Sequence, residues 1–352
     1  MKEAMFYEKL PDGSVRCTLC PRRCILKPGQ RGLCGGRVNV NGKLYLETRG
    51  KTTGIAVDPI EKKPLFHFYP GHCALSIGTA GCNLVCKFCQ NYFIARREMG
   101  KRYLEEVSVE EIVRAAEYYG CPIIAYTYNE PIVRIERAYD IAKEAMKKGI
   151  KNVLVTNGFM NEEVAERASK RVDAANIDIK GPKELYMKLT GNPYGPEPIM
   201  RTAEIFKERG VRVELTHLTI PGRNDKPERM RKLARRIIDN LGPETPLHVT
   251  RFYPNYKMRD VPPTPIETME RLAEVAKEEG LKFVYLGNVP GHPMENTYCP
   301  ECGALLIKRY GFMITKINLE RRGDRRVCKE CGHEVPIIGD VKKTPRYFLR
   351  FL

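Results

Sequence analysis

The chain has 352 residues, 42% of them hydrophobic, which excludes a disordered or fibrous protein and is enough for one large core or two ordinary ones. A formal net charge of +17 with 29% charged residues fits either a nucleic-acid partner or a heat-adapted surface of mixed ion pairs. Met1 to Leu10 contain no signal-peptide apolar core, and no apolar run approaches the roughly 18 residues that cross a bilayer, so a soluble, cytoplasmic chain without membrane contact is expected.

Thirteen cysteines in a chain of this length point to metal binding rather than to the disulfide framework of a short secreted domain. Eleven fall in three groups, while Cys73 and Cys121 stand alone beside apolar stretches and read as small buried hydrophobes. The first group, Cys17, Cys20, Cys24 and Cys34, lies in residues 1–72. That region is rich in Gly, Pro, Arg and Cys, has short extended stretches such as Lys43 to Thr48, and reads as a metal-stapled cap.

Residues 73–294 alternate apolar strands with amphipathic helices. The strands expected are Ala74 to Gly78, Ile123 to Tyr128, Asn152 to Thr156, Ala174 to Ile179, Arg212 to Ile220, Leu247 to Phe252 and Lys282 to Leu286. The intervening helices are expected over Val109 to Tyr119, Ile132 to Lys148, Glu162 to Arg171, Thr202 to Arg209, Pro227 to Asn240 and Pro265 to Glu279. Ser108 and Glu111 form a capping-box pattern before the first, and Gly149, Gly210 and Gly280 stop three of them. Strands joined by helices imply right-handed crossovers and a parallel sheet, so the fold class is α/β. A β/α barrel, complete or partial, is favoured over a doubly wound sheet because polar residues recur at the C-terminal strand ends. Asn129 and Glu130 follow the second strand, Thr156 and Asn157 the third, Asp178 and Lys180 the fourth, and His217 and Thr219 lie late in the fifth.

After the first strand comes Gly81-Cys82-Asn83-Leu84-Val85-Cys86-Lys87-Phe88-Cys89-Gln90-Asn91. Three thiolates separated by three and then two residues can wrap one compact centre, and three ligands rather than four leave an iron of a cubane cluster open. This loop resembles the radical S-adenosylmethionine (SAM) signature, including aromatic Phe88 before Cys89. The resemblance implies a partial (β/α)6-type barrel, a [4Fe-4S] cluster on Cys82, Cys86 and Cys89, SAM chelated to the open iron, and its cleavage to a 5′-deoxyadenosyl radical. It further implies that Glu130 accepts the SAM ammonium, that Lys180 meets the methionine carboxylate, and that Phe88, Asn129, Thr156, Asn157 and Asp178 surround SAM and substrate. His217 reads equally as a contact or as a structural histidine. Cys17-Thr18-Leu19-Cys20-Pro21-Arg22-Arg23-Cys24, Tyr128-Asn129-Glu130-Pro131, Ile220 to Asp225 and Arg251-Phe252-Tyr253-Pro254 together resemble the AmmeMemoRadiSam-system radical SAM proteins, a family similar to pyruvate formate-lyase activating enzyme. That likeness implies Memo-like and AMMECR1-like partner proteins and a reductant such as ferredoxin or flavodoxin. For the first cysteine group it leaves structural zinc and an auxiliary iron-sulfur cluster both open, since ligand identity does not separate them.

Residues 295–352 end the alternation. Cys299-Pro300-Glu301-Cys302-Gly303 and Cys328-Lys329-Glu330-Cys331-Gly332 read as two knuckles of a zinc ribbon, with iron as the other occupant of such a set. From Cys299 onward twelve Lys or Arg face six Asp or Glu, with Arg321, Arg322, Arg325, Arg326, Lys342 and Lys343 prominent. Three functions follow as expectations: radical modification or activation of a protein, radical modification of RNA, and a non-enzymatic zinc-ribbon scaffold. The intact cysteine loop and Glu130 argue against the last.

Overall fold

The structure, a computed structural model, describes residues 2–47, 50–96 and 104–345. Its centre is one eight-stranded sheet. The strands are β1 (Gly54–Pro59), β2 (Cys73–Gly78), β3 (Ile123–Tyr126), β4 (Lys151–Thr156), β5 (Ala174–Asp178), β6 (Arg212–Thr219), β7 (Leu247–Arg251) and β8 (Val284–Gly287), paired in that order. β2 to β8 run parallel in register, and β1 lies antiparallel against β2 along its whole length, Gly54 opposite Gly78 and Pro59 opposite Cys73.

All residues of β2 and β3 are buried, as expected of parallel strands covered on both faces. The covering helices are α1 (Val109–Tyr118), α2 (Ile135–Lys147), α3 (Glu162–Ser169), α4 (Glu197–Glu208), α5 (Pro227–Leu241) and α6 (Ile266–Glu278). Helix α2 buries Ile135, Ala138, Ile141, Ala142 and Ala145, a stripe at the spacing of one helical face, and ends at Gly149, whose φ of 70° a side chain would strain. The capping box at α1 is present: Glu111 N donates to Ser108 Oγ at 3.1 Å and Ser108 N to the Glu111 carboxylate at 2.6 Å.

The elements differ most from the sequence reading in three places. Pro131–Arg134 is a short 3-10 turn, so the helix expected from Ile132 begins at Ile135. Helix α4 begins at Glu197, five residues before the expected Thr202, because Pro198 falls in the first turn, where no intrahelical N–H is required. Within residues 1–72, Gly54–Pro59 belongs to the main sheet; its Gly and Pro ends mask a strand that pairs edge to edge with β2. The sheet is an open ladder whose edge strands β1 and β8 pair with one neighbour each among the described residues.

Two small antiparallel sheets precede it, one of Lys2–Glu3, Lys43–Leu46 and Arg37–Val40, the other of Tyr7–Lys9, Val15–Cys17 and Ile25–Leu26. Thr48 of the expected extended stretch lies outside the described residues. Arg37 Nη2 reaches both oxygens of Glu136 on α2 at 2.8 Å, with neither side chain exposed beyond 1%, and Glu136 Oε1 also accepts from Met5 N at 2.9 Å. At the other end, Thr297–Tyr298, Leu305–Tyr310 and Met313–Ile317 form one sheet, and Leu319–Arg322, Arg325–Cys328 and Glu334–Val335 another. Their core of Leu306, Ile307, Ile314, Val335 and Ile337 is continuous with Phe66, Phe283 and Tyr285 at the sheet. No helix of the described residues is long and apolar enough to cross a membrane.

A buried ion pair deleted on one side leaves a stranded charge, which costs about 3–5 kcal/mol, against at most about 1 kcal/mol for an exposed pair. Glu136→Ala should therefore lower stability to chemical denaturation by that larger amount, and Glu144→Ala, which removes the exposed partner of Lys147, should leave it within about 1 kcal/mol of wild type. Equal effects of the two substitutions would show that the Arg37–Glu136 pair does not anchor the N-terminal sheets.

Candidate functional site

The loop from β2 carries Cys82, Cys86 and Cys89, all half-buried. It is strapped down along its length. Val85 N donates to Thr190 O and Lys87 N to Leu189 O, both at 2.8 Å, and Lys257 N donates to Lys87 O at 2.9 Å. Phe88 is buried against Leu185, Leu189, Ile220, Phe252 and Met258, which turns the loop's aromatic residue inward. From the N-terminal region Arg22 Nε donates to Asn83 O at 2.9 Å and its Nη2 to Gly191 O. Burial raises the pKa of all three thiols, Cys86 to about 11. A bound cation or cluster would offset that cost by favouring thiolates.

Glu130 is the centre of a hydrogen-bonded set that ties two strand ends to this loop. Its Oε1 accepts from Thr156 Oγ1 at 2.6 Å and Ile132 N at 3.2 Å, and its Oε2 from Asn157 N at 2.8 Å. Asn157 in turn donates from Nδ2 to Asn83 Oδ1 at 3.0 Å and lies 3.6 Å from the Cys82 sulfur. Asn129 braces the loop from the other side: its Oδ1 accepts from Thr79 N at 2.8 Å, and its Nδ2 donates to Gly81 O at 2.7 Å. The turn that aims these residues passes through Tyr128 at φ 71°, a left-handed conformation rare for an aromatic residue, held by a 2.5 Å bond from its hydroxyl to Asp58.

At the next strand end Lys180 Nζ donates to Asp178 Oδ2 at 2.7 Å and lies 5.9 Å from the Phe88 ring centroid. Burial works against the Lys180 charge, but Asp178 and the nearby Cys86 outweigh it and raise the pKa. His217 is buried, with Nδ1 2.9 Å from Ile179 O, and burial lowers its pKa. The fold thus brings Cys82, Asn129, Glu130, Thr156 and Asn157 into one bonded set, with Cys86, Phe88, Asp178 and Lys180 beside it. Asn83, Thr79, Tyr186 and Asn224 were not anticipated. Tyr186 OH accepts from Lys180 N at 2.9 Å, and Asn224 Nδ2 donates to Lys180 O at 2.8 Å. Asn83 sits between two cysteines of the motif, and that position was its only signal in the sequence.

The other cysteine groups differ in shape. Cys299, Cys302, Cys328 and Cys331 are the group among the described residues whose ligand atoms all lie within 4.8 Å of one another. Both knuckles repeat one pattern: Cys299 N donates to Ala304 O and Cys328 N to His333 O, while Gly303 N donates to Cys299 O and Gly332 N to Cys328 O. Cys17, Cys20, Cys24 and Cys34 line a pocket together with Arg37 and with Asn83 of the central loop. Burial pushes Cys17 up to about 11 and Cys20 to about 12. The two cysteine regions touch: a Cβ on Gly81 would meet Cys34 O at 2.3 Å.

Residues 76–234 match the radical SAM superfamily. An uncharacterized protein of Methanocaldococcus jannaschii is 49% identical over 338 residues, which cover 96% of this chain and 100% of that protein. The pyruvate formate-lyase-activating enzyme of Clostridium pasteurianum is 26% identical over 213 residues, covering 56% of this chain and 87% of that enzyme. Among solved structures, a radical SAM methyltransferase from Sphaerobacter thermophilus aligns with a TM-score of 0.48 at 18% identity, over 63% of this chain and 68% of that one. The chain belongs to the radical SAM superfamily and is related to glycyl-radical activating enzymes. Membership in this superfamily implies an iron-sulfur cluster and SAM.

Burial pushes Glu130 up to about 7, against the pull of its three donors. An acid whose pKa rises on folding binds more protons folded than unfolded, so its contribution to stability falls as pH rises from the unfolded value of 4.5 through about 7. His67, lowered to about 3 by burial, acts in the opposite direction, and the test is therefore a difference between two proteins. Urea titrations of metal-free wild type and Glu130→Gln at pH 5 and pH 8 should show the variant gaining on wild type at the higher pH. A gap that does not change with pH would mean that Glu130 ionises normally.

Proposed function

We propose that the chain cleaves SAM reductively at a [4Fe-4S] cluster held by Cys82, Cys86 and Cys89 and uses the resulting radical to modify or activate a protein. One observation carries this reading: three half-buried thiols share a loop at the C-terminal edge of a parallel sheet, with charged and amide groups of the next three strand ends beside them. The donor set fits a cluster with one corner free for a ligand that the protein does not supply. When bound, that cluster supplies the electron that breaks the S–C5′ bond of SAM, giving methionine and a 5′-deoxyadenosyl radical.

The chain's own residues then have distinct tasks. Three donors already occupy Glu130, which leaves about one of its four acceptor positions for an ammonium group. Thr156, Asn157 and Asn129 hold that carboxylate and the loop in fixed relation. Lys180, oriented by Asp178, offers its charge to a carboxylate, and Phe88 packs the loop against the 185–189 segment. For His217 the bond to Ile179 supports a structural role. The C-terminal four cysteines suit zinc, and Cys17, Cys20, Cys24 and Cys34 suit zinc or an auxiliary cluster. The ladder of β2 to β8 is read as a partial barrel.

A protein substrate is supported by similarity to an enzyme named for activating another enzyme. Modification of RNA is less supported, because Arg321 and Arg326 pair with Asp340, Arg322 with Glu320 and Arg325 with Glu334. Memo-like and AMMECR1-like proteins as partners, ferredoxin or flavodoxin as reductant, and a cytoplasmic setting complete the proposal.

After anaerobic reconstitution and dithionite reduction, the protein should convert SAM to 5′-deoxyadenosine and methionine. Replacing Cys82, Cys86 and Cys89 together by Ala should abolish that conversion, and full activity in the triple variant would refute the assignment. Lys180→Met should weaken SAM affinity by about one to two decades, the worth of a charge-assisted bond, with iron content unchanged. In the C-terminal set, replacing Cys302 and Cys331, the exposed pair, by Ser should release one equivalent of zinc and leave SAM cleavage in place. Iron in place of zinc at that set would assign the module to the redox chemistry.

A further inference from the structure

On the side of the sheet opposite the cysteine loop, where the C-terminal module meets it, a cavity of about 560 Å³ is lined by Tyr69, Arg212, Arg321, Arg325, Arg326 and Asp340 among others. Arg212 is the first residue of β6, so the cavity lies at the N-terminal strand ends. Three of its arginines already have carboxylates: Arg321 and Arg326 share Asp340 at 3.1 and 2.9 Å, and Arg325 meets Glu334 at 3.4 Å. Arg212 differs. Its Nε and Nη2 are buried and have no hydrogen-bond partner. Burial lowers its pKa, and Glu214 and Glu244 oppose this only through space. The Glu214 carboxylate is taken by Phe66 N at 3.0 Å, His67 N at 2.7 Å and His248 Nε2 at 2.7 Å.

Two guanidinium nitrogens buried without an acceptor are unfavourable unless an anion reaches them. Here the Arg212 guanidinium sits in the wall of a cavity whose four arginines outnumber its three carboxylates, Asp324, Glu334 and Asp340. We propose that this cavity binds a small phosphate-bearing anion, which contacts Arg212 and draws Arg321, Arg325 and Arg326 from their carboxylate partners. A phosphate presents several acceptor oxygens and up to two charges to convergent planar donors, a match to guanidinium groups that a single carboxylate does not make. The volume falls within the range of roughly 300–1,000 Å³ typical of small-molecule sites. A nucleic-acid strand would instead follow a line of surface cations, whereas among the cavity arginines the acceptor-free buried nitrogens are those of one residue, Arg212.

The test is calorimetric titration of the intact, metal-loaded protein at physiological salt with inorganic phosphate, pyrophosphate, AMP and a short single-stranded RNA. Pyrophosphate or AMP should bind with one-to-one stoichiometry, and inorganic phosphate more weakly at the same site. Arg212→Gln and Arg325→Gln should each weaken that binding by about tenfold or more, whereas Arg322→Gln, outside the cavity lining, should leave it unchanged. SAM cleavage by Arg325→Gln should equal that of wild type, which separates this site from the cysteine loop. If Arg212→Gln does not fold, Arg325→Gln decides, since that side chain is 70% exposed. The proposal is overturned if no small anion binds stoichiometrically, or if binding is equal in wild type and Arg325→Gln. RNA binding tighter than any small anion and lost in Arg322→Gln would likewise overturn it in favour of a surface site.

Discussion

The constraint on which the molecule depends is the common direction of seven adjacent strands. Because β2 to β8 all run the same way, each sends its next segment off the same edge, and residues remote in sequence become neighbours there. Glu130, Asn157 and Cys82 come from three different segments yet form one chain of contacts of 2.8 to 3.6 Å. No single loop could supply a carboxylate, an amide and a thiol in that relation. The site is therefore a property of the sheet and inherits its rigidity.

Charge inside the protein is handled by multiple bonding. Glu214, whose carboxyl His248, His67 and Arg212 bring down to about 2 despite complete burial, also accepts from Phe66 N and His67 N, and so joins β6 to β7 and to the segment before β2. Arg309 crosses from the C-terminal module to Phe66 O at 3.1 Å, donates to Thr297 Oγ1 at 2.7 Å, and stacks 4.1 Å from the Phe66 ring centroid. His67 Nε2 lies 2.6 Å from Tyr285 OH, which lies 3.0 Å from Thr297 Oγ1. These bonds tie the module to the sheet across the apolar core that the two share. The knuckles hence stand on a foundation shared with the parallel sheet.

The sequence exposed what depends on local order. Seven of the eight strands were legible because parallel strands are short apolar runs between amphipathic helices, and the cysteine groups were legible because ligand spacing is local. Strand β1 was not, since its Gly54 and Pro59 ends resemble loop, and only pairing with β2 makes it a strand. The start of α4 was missed because two prolines, Pro196 and Pro198, look like a break when they in fact form the helix entry. Glu130 stood out as polar at a strand end, but its bonding to Thr156, Asn157 and Ile132 could not be read, because it depends on where β4 lies. The unpartnered Arg212 was invisible for the same reason: the rest of the cavity it lines comes from residues more than a hundred positions away.

The bridge between Phe68 and Ile338, with Tyr69 N donating to Ile338 O at 2.7 Å and Lys342 N to Pro70 O at 3.1 Å, joins segments at opposite ends of the chain. On a ribosome, the parallel ladder can assemble strand by strand as it emerges, but its underside cannot close. Until residue 309 has left the exit tunnel, Glu61 has no arginine beside it. His67 likewise awaits the Pro336 carbonyl, 3.2 Å from its Nδ1 in the finished fold. A nascent chain arrested before the second pair of knuckle cysteines would thus present a formed cysteine loop above and an open polar seam below, so closure of the fold waits for residues 309–342 rather than for the sheet itself.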